Sequence, residues 1–262
     1  MSQLQIIDAN GVALATRALG HGRPLALLHG LAVGSMASWY FPIALPLAEE
    51  RRVLLYDLRG HGESGTPATG YDLVTQAADL DAVLRYHTGT TEPVDLAGHS
   101  LGAAIALQFA LANPTRVRRL ALVDPPYPIE EHTLGGLRGG ESPEALLDEI
   151  MARTIREEER EGGRRWVRRH RRLSQLFLET TMIRDLIAER SPTPEALASL
   201  RLPVLLVAGR GSNCLAGNRL LNEYIPGSQL VEIDSGHEIP EEAPVELLSV
   251  LRDFFSDSGP AR

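Results

Sequence analysis

An α/β architecture, with a mostly parallel central sheet of about eight strands and helices on both faces, is what this 262-residue sequence predicts. Three observations carry the expectation. Short, mostly apolar runs alternate with helical patterns along most of the chain. A hairpin-like pair of runs precedes the alternation. One long stretch, 128–194, holds no strand-like run.

The first two runs, Gln3 to Ile7 and Val12 to Ala18, flank Asn10-Gly11, a dipeptide that tolerates the positive φ values of a tight hairpin turn. They read as a hairpin added at the sheet edge. Leu25 to Leu28, Arg52 to Tyr56, Val94 to Ala97, Val117 to Val123, Val204 to Ala208 and Leu230 to Ile233 are short and largely apolar. Strands covered on both faces read this way. Between them, Trp39 to Glu49, Val74 to His87, Ala103 to Ala112, Leu215 to Tyr224 and Val245 to Phe255 read as helices.

From about Pro128 to Pro194 the pattern changes to charged helical segments separated by Gly135-Gly136, Gly139-Gly140 and Gly162-Gly163. This stretch reads as a helical cap, residues 128–194, inserted after the sixth strand of a core made of 1–127 and 195–262. Open α/β sheets bind ligands at the carboxyl ends of their strands, so a cap here would cover the site. Within it, Val167, His170, Leu173 and Phe177 recur at helical spacing through the basic run Arg164 to Arg172. The acidic run Glu157 to Glu161 nearly balances that charge. The arginines are either a solvated face with ion pairs or a greeting surface for an anionic substrate handle.

The formal charge of −8 argues against nucleic acid as a partner. All basic residues are Arg, and the one cysteine, Cys214, excludes an internal disulfide and fits a reducing compartment. Met1 to Gln5 lacks the basic start and apolar stretch of a signal peptide, and no window has the length of a membrane span. The expected location is cytoplasmic, away from membranes.

Chemistry enters at Gly98-His99-Ser100-Leu101-Gly102, a G-x-S-x-G pentapeptide between a strand-like and a helix-like run. Such a turn can hold a serine proud of the sheet on a strained backbone. Around it stand His29-Gly30-Leu31, Asp57 to Ser64, and the late Ser235-Gly236-His237, each after a strand. In this order and spacing the motifs resemble the α/β-hydrolase superfamily, specifically its small, capped, cofactor-independent esterase- and thioesterase-like members. The resemblance covers nearly the whole chain outside the cap and implies the α/β-hydrolase fold.

The resemblance also implies roles. Ser100 is the expected nucleophile and His237 its base, because a serine hydroxyl needs an imidazole to take its proton. The backbone N–H groups of Leu31 and Leu101 are the expected oxyanion donors. No metal or cofactor is expected. The substrate is expected to be a small acyl compound, an ester or thioester, with a carrier- or CoA-linked handle as one form. Epoxide hydrolases and dehalogenases of the superfamily use an aspartate where this chain has Ser100. His29, His61 and His99 are expected to be structural, Asp57, Arg59 and Ser64 to hold their turn through bonds to the backbone, and Trp39 to lie in the core.

One member of the expected triad is missing from its usual place. Most relatives carry the acid a few residues after the strand that here ends near Gly209, where this chain reads Arg210-Gly211-Ser212-Asn213-Cys214. The acid is expected at Asp124, at the end of the preceding strand; the competing reading is that there is none. Asp234 and Glu238, next to His237, are minor candidates. With the acid open, an acyl-transfer cyclase, a carbon–carbon bond hydrolase and a non-catalytic binding protein stay beside the hydrolase.

Overall fold

The computed structural model describes residues 3–31, 34–89, 92–132, 142, 144–145, 147–148 and 164–256, with the backbone alone at 132 and 164–170. Its strands are β1 (Gln5–Ala9), β2 (Val12–Leu19), β3 (Pro24–Leu28), β4 (Arg52–Tyr56), β5 (Val94–His99), β6 (Val117–Val123), β7 (Val204–Gly209) and β8 (Gln229–Ile233). They form one sheet in the order β1-β2-β4-β3-β5-β6-β7-β8. β1 pairs antiparallel with β2, and β2 with β4; every other pairing is parallel. The predicted edge hairpin is present, turning at Asn10 and Gly11 with φ of 54° and 78°.

The strand order reverses at β3. The chain leaves β3 for β4 on one side, then crosses back to β5 on the other. Successive crossovers diverging in this way open a crevice above the carboxyl ends of β3 and β5. Ser100 sits there, at the end of β5.

The helices are α1 (Met36–Trp39), α2 (Leu45–Leu47), α3 (Leu73–Thr88), α4 (Leu101–Ala112), α5 (Ile129–His132), α6 (Arg164–Leu178), α7 (Met182–Ala188), α8 (Pro194–Ala198), α9 (Leu215–Tyr224), α10 (Ile239–Glu242) and α11 (Pro244–Phe255). Side chains alternate between two buried layers along the inner strands, while the edge strand β1 turns Ile6 and Asp8 to solvent. Ala26, Leu28 and Leu54 face α3 and α4, meeting Leu80, Val83, Ile105 and Phe109. Leu25, Leu27, Val53 and Leu55 face Trp39, Ile43, Leu247, Leu251 and Phe255 on the other side. Covering both faces is the reason the strands carry so little polar alternation. Each fully buried Leu or Phe contributes about 1.5–3 kcal/mol relative to exposure.

The predicted helix from Trp39 to Glu49 is broken. A wide π-helical turn, Tyr40–Ala44, separates α1 from α2. Pro46 has no N–H for the carbonyl of Pro42 and its ring would crowd that oxygen, so the ladder opens and the Leu45 N–H bonds Tyr40 instead. Trp39 is fully buried, as expected, and its indole N–H donates to the Leu28 carbonyl at 3.0 Å.

Among the described residues, 128–194 holds α5, α6, α7 and the first residue of α8, and no strand. The three glycine pairs and the acidic run 157–161 lie outside the described residues, as do the side chains of Arg164 to His170. Leu173, Leu176 and Phe177 of α6 are buried in the layer that contains α3 and α4. Asp185 and Glu189 accept hydrogen bonds from the Tyr71 and Leu73 amides at 3.0 and 2.7 Å, tying this segment to the loop before α3. We keep 128–194 as a proposed cap on the 1–127 and 195–262 core.

Most of the Asp57 to Ser64 loop behaves as expected. The Asp57 carboxylate accepts the amides of Met36 and Glu63 at 2.7 and 2.8 Å, and the Ser64 hydroxyl donates to the Asp57 carbonyl. Arg59 departs from the expectation. Its guanidinium forks onto both oxygens of Asp79 in α3, each at 2.7 Å, and only a third nitrogen reaches backbone, at Gly70. Both partners are almost fully buried. Stranding such a charge costs far more than the pair contributes, so Asp79→Ala should lower stability by about 3–5 kcal/mol in chemical denaturation. A loss below about 1 kcal/mol would show that Arg59 finds water or another anion.

Candidate active site

β5 ends at His99 and α4 begins at Leu101, so one residue, Ser100, turns the chain from sheet to helix. It does so at φ 52° and ψ −120°, a conformation that costs an L-residue energy. Two glycines make the turn sterically possible. A Cβ on Gly98 would lie 2.3 Å from the Gly102 carbonyl oxygen, and one on Gly102 would lie 2.5 Å from the carbonyl oxygens of Leu28 and His29. These contacts are with backbone and cannot relax by a rotamer change. Gly102→Ala should therefore cost about 1–3 kcal/mol, read as a drop in melting temperature; an unchanged melt would show that the turn has room to yield.

Three segments distant in sequence meet at this turn. His237, in the loop after β8, stands with Nε2 2.9 Å from Ser100 Oγ. Its Nδ1 lies 2.6 Å from Asp124 Oδ2. A carboxylate can only accept, so Nδ1 carries the proton and donates to Asp124, which leaves Nε2 to accept from the serine. Of the acid candidates, Asp124 and neither Asp234 nor Glu238 holds that nitrogen.

Asp124 follows β6 with φ 46°, a left-handed conformation that Asp tolerates better than most residues. The carboxylate is fully buried. Besides His237, it accepts the Gly209 amide at 3.3 Å and the Ser212 hydroxyl. Ser212, next to Asn213, stands in the stretch where the resemblance leads one to expect the acid. Its identity shows that the place is vacant; its hydrogen bond to the displaced carboxylate is a partnership the sequence did not announce.

Burial works against a charged His237. The Asp124 hydrogen bond, and after it the nearby Cys214 sulfur, outweigh burial and hold the imidazole above its ordinary value. Three other histidines crowd the site and are held neutral. His29 donates from Nδ1 to the Gly30 carbonyl at 2.7 Å and accepts the Leu58 amide on Nε2 at 2.9 Å. Burial pushes it down to about 4. His61, whose Nδ1 bonds the Arg59 carbonyl, is pushed by burial to about 3. His99, lowered to about 4 chiefly by burial, donates from Nε2 to the backbone carbonyl of His237 at 2.8 Å. That bond pins the His237 loop over the serine. The sequence offered no signal for it beyond the presence of His99 beside Ser100.

The two expected amide donors belong to segments that adjoin the serine. Leu101 opens α4, where first-turn N–H groups have no partner within the helix. Leu31 follows Gly30, which comes so close to Ser100 that a Cβ there would stand 3.2 Å from the serine Cβ.

A serine raised on a strained turn at the switch point of such a sheet, with an imidazole and a carboxylate in line behind it, is the architecture of the hydrolase-type α/β proteins. A model of the alpha/beta hydrolase fold matches residues 23–157, and the chain belongs to that family. It is 38% identical over 117 residues to a soluble epoxide hydrolase of Corynebacterium sp. (strain C12), a match over 44% of this chain and 39% of that protein. Such matches span less than half the length of these curated relatives. Among solved structures, Est816, described as an N-acyl homoserine lactone degrading enzyme, superposes with a TM-score of 0.77 at 26% identity, covering 95% of this chain and 100% of that one. A thermophilic esterase of Thermogutta terrifontis does so at 0.73 and 27%, covering 95% and 97%. No helix among the described residues is long and apolar enough to cross a membrane.

Proposed function

We propose that this chain is a serine hydrolase of carboxylic esters or thioesters that works through an acyl-enzyme on Ser100. The observation that carries the reading is the continuous line from Asp124 through His237 to Ser100, at 2.6 and 2.9 Å. Ser100 Oγ attacks the acyl carbonyl while His237 Nε2 takes its proton. The Leu31 and Leu101 amides receive the developing oxyanion. His237 then returns the proton to the departing alcohol or thiol, and water, deprotonated by the same nitrogen, releases the acid. Asp124 keeps Nδ1 protonated and steadies the imidazolium between these steps.

Two solved neighbours above 25% identity support ester chemistry, since one is described as an esterase and the other as acting on a lactone, which is a cyclic ester. The epoxide hydrolase relative does not transfer its reaction, because an oxirane-opening aspartate would have to stand where this chain has Ser100. A small acyl compound is the proposed substrate, with a carrier- or CoA-linked form for the basic segment of α6 to meet. The test is covalent labelling. A fluorophosphonate should add to the wild type at Ser100 and leave Ser100→Ala unlabelled; an unlabelled wild type overturns the nucleophile.

A further inference from the structure

Cys214 is the one cysteine of the chain, and the proposed reaction gives it no task. It is buried at the start of α9 with Sγ 3.9 Å from His237 Nδ1. The same nitrogen is 2.6 Å from Asp124 Oδ2. One ligand atom each of Asp124, Cys214 and His237 lies within 4.8 Å of the others, and no second group of this kind occurs among the described residues. Thiolate, imidazole and carboxylate together are a donor set for a zinc-type cation.

From this convergence we propose that Asp124, Cys214 and His237 bind a thiophilic divalent cation of the zinc type, and that its binding switches the hydrolase off. Tetrahedral zinc holds nitrogen and oxygen at about 2.0–2.2 Å and sulfur at about 2.3 Å, which spaces N from O by about 3.3 Å and N from S by about 3.6 Å. Against the observed 2.6 and 3.9 Å, the carboxylate retreats by about 0.7 Å and the thiol advances by about 0.3 Å. Side-chain rotation covers both. His237, with 31% of its side chain exposed, is the solvent-facing member and the way in.

Charge and protons balance. The cation's two positive charges meet one carboxylate and one thiolate, so the buried cluster is neutral, as a desolvated site requires. The Cys214 S–H proton leaves to solvent. The imidazole ends with one proton, on Nε2: a charged ring releases its Nδ1 proton to solvent, a neutral one moves it to Nε2, and either way the Nδ1 lone pair is free for the metal. Ser100 then faces an N–H instead of a lone pair and has nothing to receive its proton. Metal on Nδ1 and catalysis at Nε2 compete for the one free lone pair of the neutral ring.

The switching rests on His237 being the base proposed above; the binding does not, and the experiment separates them. Cys214 being the sole cysteine, a cadmium–thiolate charge-transfer band can arise from this site alone. Adding Cd²⁺ should raise that ultraviolet band in the wild type and equally in Ser100→Ala, which has no nucleophile, and not in Cys214→Ser or Cys214→Ala. On an activated ester, Zn²⁺ should inhibit the wild type, with reversal by a chelator. The half-inhibiting concentration should rise at least about tenfold in the Cys214 variants, since losing even an outer-shell partner costs that much in metal affinity. Inhibition is read as the ratio of rates with and without metal in the same protein, so basal rates need not match. No band in the wild type overturns the site. Equal inhibition of wild type and both Cys214 variants overturns the switch.

Discussion

Replacing Ser100 with alanine should lower kcat by roughly 10⁵–10⁶-fold while leaving the fold and KM nearly unchanged. The size follows from the geometry. Among the described residues Ser100 supplies the hydroxyl that His237 Nε2 meets, at 2.9 Å, and no other described hydroxyl stands ready to inherit the attack. What should survive is the contribution of the proposed oxyanion amides and of substrate positioning, which would keep a remnant of rate over water. The alanine relieves none of the turn's packing, because Gly98 and Gly102 still set the approach of β5 to α4. The melting temperature should therefore hold, because alanine keeps the Cβ and with it the strain at φ 52°. Steady-state kinetics beside a melt checks both halves, and a residual rate within tenfold of wild type would place the nucleophile elsewhere.

Asp124→Asn should lower kcat by roughly 10⁴-fold, the cost of an imidazole held in the wrong tautomer. Asparagine presents an N–H where the carboxylate presented a lone pair, and the ring answers by carrying its proton on Nε2. The pH profile should also move, in a direction the environment of His237 dictates. Burial lowers its pKa, and the Asp124 hydrogen bond is the foremost influence raising it above the ordinary value. His237 must be neutral to accept a proton, so the wild-type rate rises as pH climbs through that raised value. Without the carboxylate, the acid limb shifts to lower pH while the plateau falls. The sign for stability is consistent: a raised histidine stabilises the fold below its unfolded pKa and loses that contribution as pH rises through the folded one. A profile of kcat/KM against pH measures the shift. A plateau within tenfold of wild type and an unmoved acid limb would assign the acid role to another group.

Much of this architecture could be read along the chain. Alternating layers made the strands legible, because Leu25 and Leu27 serve one face while Ala26 and Leu28 serve the other and all four are apolar. Asn10-Gly11 marked its hairpin through φ tolerance, and Gly98 and Gly102 marked the serine turn through the close backbone approach that only glycine permits. The break between α1 and α2 was not read, although Pro42 and Pro46 were there to signal it. The Arg59 partner was not read either, since Asp79 lies in a helix twenty residues on and nothing local distinguishes it from Asp81, the other acid of α3.

What the sequence by itself determined is everything that depends on neighbours in the chain: strand and helix positions, the doubly covered sheet, the raised serine and the late histidine. What only the tertiary structure decided is who stands behind that histidine. Asp124 and His237 are separated by 113 residues, and β7 lies between the strands that carry them. The carboxylate crosses the end of β7 because the loop there offers it the Gly209 amide and the Ser212 hydroxyl, where an acid would have repelled it. The order of strands in the sheet sets that meeting, together with the proximity of Cys214 to the same nitrogen. Strand order is a property of hydrogen bonds across the sheet, which leave no periodic trace along the chain.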